Sequence, residues 1–219
     1  MKKFNGVIFD MDGLLFDTET IYYETQQVAA DQFGLPFDKN IYNRYIGISD
    51  EEVWEDLHKV YAQHGKEVVN AFIEKSWGDA KELFFAGKVE LKPGVIELLD
   101  YLTEQEIPKI VASSNVRSVI ESLLEHAQIR DYFVDIVSAD DVSYAKPDPE
   151  IFLNALGKLG TDAAKTLVLE DSKNGILAAN SANIPVIMVP DLIPPTEELA
   201  EKTLEVLPSL HEVITYLKN

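Results

Sequence analysis

Apolar residues follow two different rhythms along this chain. Short compact runs at Val7–Phe9, Pro108–Ala112, Asp135–Ser138, Thr166–Leu169 and Pro185–Val189 predict strands buried on both faces of a sheet. Between the first two runs the spacing is helical instead. Ile21, Tyr22, Val28, Ala29 and Phe33 predict a helix from Thr18 that Gly34 stops. Ser49-Asp50-Glu51-Glu52 is a capping-box pattern opening a helix through Val53, Trp54, Leu57, Val60 and Tyr61, with Gly65 ending it. Val68, Val69, Phe72, Ile73, Trp77, Phe84 and Phe85 predict a third helix. Beyond it, helices alternate with the strands. Lys92-Pro93-Gly94 opens one through Leu102, with Pro93 as a tolerated initial helical residue, and others cover Val116–Ala127, Pro149–Leu159, Lys173–Ala182 and His211–Leu217.

Strands alternating with helices predict an α/β fold, a doubly wound parallel sheet, with an all-helical unit inserted after the first strand. The expected division is a core of residues 1–16 and 88–219 around a helical domain of residues 17–87. Ligands of such sheets bind beyond the carboxyl ends of the strands, so what each strand delivers there matters.

The first delivers Asp10, Asp12 and Gly13. Two carboxylates leaving a buried strand repel one another and lose hydration, and a hard divalent cation with oxygen ligands would neutralise them. The same residues also read as an ordinary acidic turn. The second strand delivers Ser113, Ser114 and Asn115, groups suited to a phosphate at a helix N-terminus, or simply an N-cap. Lys146 precedes the turn Pro147-Asp148-Pro149, and taken alone it reads equally as a solvated surface lysine. The fourth strand delivers Glu170 and Asp171, which complete a carboxylate cage for magnesium if they lie near Asp10. No single group is specific. Successive strands ending in the groups that phosphoryl chemistry requires form a pattern that isolated readings do not explain.

Composition narrows the class. The 219 residues carry 38 acidic and 19 basic side chains, a net charge of −19. Such a surface repels nucleic acid and anionic membranes, so neither is an expected partner. An anionic substrate would need positive charge supplied locally. Cysteine is absent, which removes disulfides and thiolate chemistry. No apolar run approaches the ~20 residues of a membrane span. The start, MKKFNGVIFDMDG, meets Asp10 before any long apolar stretch and does not read as a secretory signal. A cytoplasmic monomer is expected. His58, His64, His126 and His211 lack metal-ligand spacing and are expected to be surface or structural.

The stretches FDMDG, VASSN, KPDPEIF and LVLEDSKNG resemble the motifs of the haloacid dehalogenase-like superfamily, and the helical insertion is similar to that superfamily's small cap. The nearest likeness is to its β-phosphoglucomutase-like phosphatases. The resemblance implies a Rossmann-like core and a Mg2+-dependent hydrolysis of a small phosphorylated metabolite. It assigns Asp10 as a nucleophile that becomes an aspartyl-phosphate, and Asp12 as general acid and base whose backbone carbonyl also reaches the metal. Ser113 would bond the transferring phosphoryl, with Ser114 and Asn115 near the substrate. Lys146 would neutralise charge beside Asp10. Asp171 would ligate magnesium with Glu170 assisting. The superfamily's dehalogenase and phosphonate-cleaving branches lack an aspartate at the Asp12 position, so the resemblance implies phosphate esters.

The cap would close over the substrate, with the loop Tyr45-Ile46-Gly47-Ile48-Ser49 setting specificity and Gly47 bringing the backbone to the ligand. True β-phosphoglucomutases carry basic residues around that loop, where this chain has Ile46 and Asp50, and an early cap histidine, where it has Tyr22. A phosphatase acting on a small phosphorylated metabolite, for example a sugar phosphate, is therefore the expectation. A phosphosugar mutase is the first alternative and a non-catalytic phospho-aspartate signalling domain the second.

Overall fold

β1 (Gly6–Phe9) runs into a tight loop, and the chain then enters the helices α1 (Thr18–Phe33), α2 (Lys39–Tyr42), α3 (Asp50–Val60) and α4 (Lys66–Phe85). It returns through α5 (Val95–Glu104), β2 (Lys109–Ala112), α6 (Arg117–His126), β3 (Ile136–Val137) and α7 (Glu150–Leu159). β4 (Thr166–Glu170), α8 (Lys173–Ser181), β5 (Val186–Met188), α9 (Glu197–Ala200), β6 (Glu205–Val206) and α10 (Leu210–Lys218) complete it. This computed structural model describes residues 3–46, 48 and 50–219.

The strands form one sheet in the order β3-β2-β1-β4-β5-β6, every neighbouring pair parallel. The chain winds outward from β1 through β2 and β3, then crosses to β4 on the other side. That reversal leaves a crevice at the carboxyl end of β1, between β2 and β4. Strand pleating divides the apolar residues between two layers. Val7, Phe9, Val111, Leu167 and Leu169 pack with α5, α6 and α10, whereas Ile8, Ile110, Val168 and Val186 pack with α7 and α8. Burying a side chain of this size is worth ~1.5–3 kcal/mol, which explains why these strands are apolar on both faces.

The helices between β1 and α5 hold a separate apolar cluster, including Tyr42, Leu57, Tyr61, Phe72 and Trp77. α1 and α4 pack along one another and close its core-facing side. The two chain crossings to this unit are tied together: Asp17 N–H donates to Glu90 O at 2.9 Å and Lys92 N–H to Leu15 O at 2.9 Å.

Several local expectations need correction. The helix after Lys92 begins at Val95, with Gly94 in the left-handed region at φ 89° as its N-cap, so Pro93 precedes the helix. Val116, not Ser113, Ser114 or Asn115, is the N-cap of α6. Gly65 stands at the start of α4, after a 3-10 turn at Ala62–His64, and does not directly end α3. Ser49, proposed to cap α3, lies outside the described residues. The short elements α2, α9 and β6 carry too few residues to show a period, and the pattern missed them.

Candidate active site

Asp10 stands just past the end of β1, its N–H donated to Leu169 O of β4 at 3.0 Å. The chain then folds back on itself, with Leu15 N–H reaching Met11 O at 2.9 Å and Gly13 N–H reaching Phe16 O at 2.9 Å. Gly13 makes this possible: it sits at φ 76°, and a Cβ there would collide with Asp171 Oδ2. Turn geometry and close approach demand the same residue.

β1 and β4 pair in register, so Asp10 and Glu170 leave adjacent strands side by side. Lys146 reaches between them, with Nζ 2.5 Å from Asp10 Oδ1 and 2.7 Å from Glu170 Oε1. Its side chain is only 6% exposed, so the solvated-surface reading is wrong for it. Glu170 Oε2 accepts from Ser172 N–H at 2.8 Å and from Ser172 Oγ at 2.9 Å. Both of its oxygens are thereby pinned. Asp10, Glu170 and Asp171 each offer a carboxylate oxygen within 4.8 Å of the others.

Asp12 points toward β2. Its Oδ2 accepts from Ser113 Oγ at 3.2 Å, while Oδ1 is buried without a hydrogen-bond partner of ordinary geometry. Ser113 is fully buried and its Oγ also accepts from Asn115 N–H at 3.0 Å. Ser114 and Asn115 face the neighbouring cavity, and Asn115 Nδ2 donates to Tyr22 Oη at 3.4 Å.

Burial sets the electrostatics. It raises the Asp10 carboxyl well above the usual range, with Lys146 opposing and Glu170 and Asp12 reinforcing the rise. Asp171 is raised likewise by burial, then by Glu170 and Asp10. Asp12 is raised by burial, partly offset by Thr18 and Ser113. Burial alone would favour a neutral Lys146, but the charges of Asp10 and Glu170 overcome it and raise its pKa.

This arrangement fits a divalent cation. Three buried carboxylates face a single ammonium, so a charge of +2 would balance the cluster. The donors are all oxygen, which suits a hard ion such as Mg2+. The orphaned Asp12 Oδ1 at the edge of the cluster further indicates a group that supplies positive charge or hydrogen.

A cavity of about 290 Å³ extends from these carboxylates toward the helical unit. Its far wall includes Glu19, Tyr22, Gln26, Tyr42, Asp50, Trp77 and Lys81. Tyr22 thus reaches the site from α1, its phenol held protonated by burial and the nearby Asp12 charge. Ile46 and Ile48 also line it, whereas Gly47 lies outside the described residues. The pattern did not single out Glu19, Gln26 or Lys81, and it read Trp77 only as an apolar position of the third helix. The one available signal was their placement on α1 and α4, the helices that face the core. His58, His64, His126 and His211 stand apart from the cavity lining.

A model of the haloacid dehalogenase-like hydrolase family matches residues 7–189. The chain is 32% identical over 178 residues to a phosphorylated carbohydrates phosphatase of Thermotoga maritima, covering 81% of each. It is 30% identical over 216 residues to protein CbbY of Cupriavidus necator, covering 93% of this chain and 85% of that one. Among solved structures, a β-phosphoglucomutase from Clostridium difficile superposes with a TM-score of 0.78 at 25% identity, over 98% of this chain and 96% of that one.

Proposed function

The chain belongs to the haloacid dehalogenase-like hydrolase family, and from that premise we propose that it hydrolyses the phosphate monoester of a small, hydroxyl-rich metabolite such as a sugar phosphate. The observation that carries this reading is the joining of Asp10, Lys146, Glu170 and Asp171 into one buried cluster at the mouth of a cavity.

Asp10 attacks phosphorus and the bond to the leaving oxygen breaks, leaving an aspartyl-phosphate. Asp12, whose carboxyl pKa is raised by burial, gives its proton to the departing alkoxide. The resulting Asp12 carboxylate takes a proton from water, which attacks the aspartyl-phosphate and releases inorganic phosphate. Ser113 holds the Asp12 side chain through its hydroxyl. Lys146 opposes the rise that burial imposes on Asp10, which favours the ionised nucleophile, and counters phosphoryl charge. Asp10, Asp171 and the Asp12 backbone carbonyl would hold Mg2+, with the pinned Glu170 assisting. When bound, Mg2+ would neutralise the phosphoryl oxygens. The helical segment 17–87 serves as a cap that excludes water and contacts the leaving group.

The cap wall favours a monophosphate. Of the two lysines lining the cavity, Lys146 is committed to Asp10 and Glu170, and Lys81 faces Asp50. Glu19, Gln26 and Asp50 offer acceptors for sugar hydroxyls, and the carboxylates of Glu19 and Asp50 would repel a second phosphate. Ile46 and Asp50 offer a mutase no grip on one.

The test is phosphate release from a panel of hexose, pentose and polyol monophosphates. We expect turnover that needs Mg2+ and is lost in excess chelator. Asp10→Asn should lower it by ~10³-fold or more, as loss of a nucleophile does. Full activity in chelator or in Asp10→Asn would overturn the mechanism. Conversion of β-glucose 1-phosphate to its isomer with a trace of bisphosphate, without free phosphate, would establish the mutase instead. A long-lived phosphorylated chain that turns over no ester would point to signalling.

A further inference from the structure

Asp191, a residue the sequence pattern did not single out, follows β5 at the carboxyl end of the sheet. Its side chain is 5% exposed. Oδ1 lies 2.5 Å from Lys92 Nζ, while Oδ2 is buried and has no hydrogen-bond partner. That free oxygen faces the carboxylate cluster. A Cβ built on Gly13 would strike Asp171 Oδ2 and come within 3.1 Å of Asp191 Oδ2, so both oxygens converge on the same bare backbone. The Lys92 backbone is itself held, because its N–H donates to Leu15 O at the crossing between core and helical insertion.

An isolated buried acceptor is costly unless a donor reaches it. Magnesium retains several of its waters, and their protons point outward and need acceptors. Resting on the metal-dependent reading above, we propose that Asp191 is a positioning residue for the cation. Oδ2 accepts a hydrogen bond from a water of the ion's shell, and the Lys92 ammonium holds the carboxylate in that orientation. Lys92 neutralises Asp191 without occupying the oxygen that faces the site. Outer partners of this kind are typically worth 10–100-fold in metal affinity.

Asp191→Asn removes the charge while keeping the shape. Its amide oxygen turns to Lys92, which leaves an NH2 donor facing Asp171 where an acceptor is required. Calorimetric titration of Mg2+ into the metal-free full chain should show a Kd raised by ~10–100-fold. The double variant Lys92→Gln/Asp191→Asn leaves no buried charge unpaired. It should melt near the wild-type temperature without metal and still bind Mg2+ ~10–100-fold more weakly. Loss of thermal stability with wild-type Mg2+ affinity in both variants would reduce the pair to a structural clamp and overturn the inference alone. A wild-type chain that takes up no Mg2+ would overturn the metal-dependent reading and this inference together.

Discussion

Glu19 shows how one side chain can carry a pH dependence. It lies in the first turn of α1, where Tyr42 Oη donates to its Oε2 and also approaches its backbone carbonyl at 3.1 Å. Burial raises its pKa to about 7, with Asp12, Asp191 and Asp17 adding to the rise and Tyr42 opposing it. The folded chain therefore binds this proton more tightly than the unfolded chain does. Its stabilising contribution is complete below about pH 4.5, the ordinary value, and is lost as pH rises through about 7. Glu19→Gln keeps an acceptor for Tyr42 and removes the charge. Metal-free wild type and variant should melt together near pH 4.5, with the variant pulling ahead above pH 7. Each pK unit corresponds to about 1.4 kcal/mol, a gap that thermal denaturation can resolve. Parallel melting curves at all pH values would mean Glu19 titrates as a solvated acid. Lys146 shows how far a single residue was legible. As a lysine before a Pro-Asp-Pro turn it has two readings, and only the 2.5 and 2.7 Å contacts to Asp10 and Glu170 decide between them.

At the scale of elements, two helical glycines behave in opposite ways. Gly175, in the first turn of α8, leaves space for the Glu170 carboxylate, which a Cβ would strike. Gly157, inside α7, has nothing within 4 Å of where a Cβ would stand. Gly175→Ala must displace Glu170 from Ser172 and Lys146. It should cost ~1–3 kcal/mol and impair phosphate release, as expected for an overpacked buried site. Gly157→Ala should leave activity alone and add ~0.5–1 kcal/mol through helix propensity. Denaturant titration of both, beside phosphate release, checks the pair. Equal effects would show that the space at Gly175 is not specific to Glu170. The same helices mark what patterning can read. α1, α4 and α7 are long enough to show their period, whereas the two-residue β6 has one half-buried and one exposed residue and is recognised by its pairing with β5, flanked by Leu204 N–H and Leu207 N–H bonds to that strand.

The whole molecule carries a net charge of −19, and its cluster of carboxylates faces the cavity through which an anion must enter. The long-range field therefore opposes approach, while Lys146 and bound Mg2+ would attract only at short range. Salt screens the first more than the second. With Mg2+ saturating, raising ionic strength from ~20 to ~150 mM should lower KM for a monoester dianion and leave kcat nearly unchanged. A KM that rises with salt would mean the local positive field dominates at a distance. No described helix is long and apolar enough to cross a membrane.

Local sequence was enough to read the parallel α/β sheet, the helical insertion after β1, and the strand ends that carry Asp10, Asp12, Glu170 and Asp171. Those follow from short-range regularities: pleat alternation, helical period and the chemistry at strand ends. It took the packed fold to show that Glu19, Gln26 and Trp77 wall the cavity and that Asp191 turns an unpaired oxygen toward Asp171. Lys92 and Asp191 stand 99 positions apart. No local pattern links them. Their meeting depends on how the crossing between the sheet and the helical insertion settles against the loop after β5, where packing, not periodicity, places each side chain.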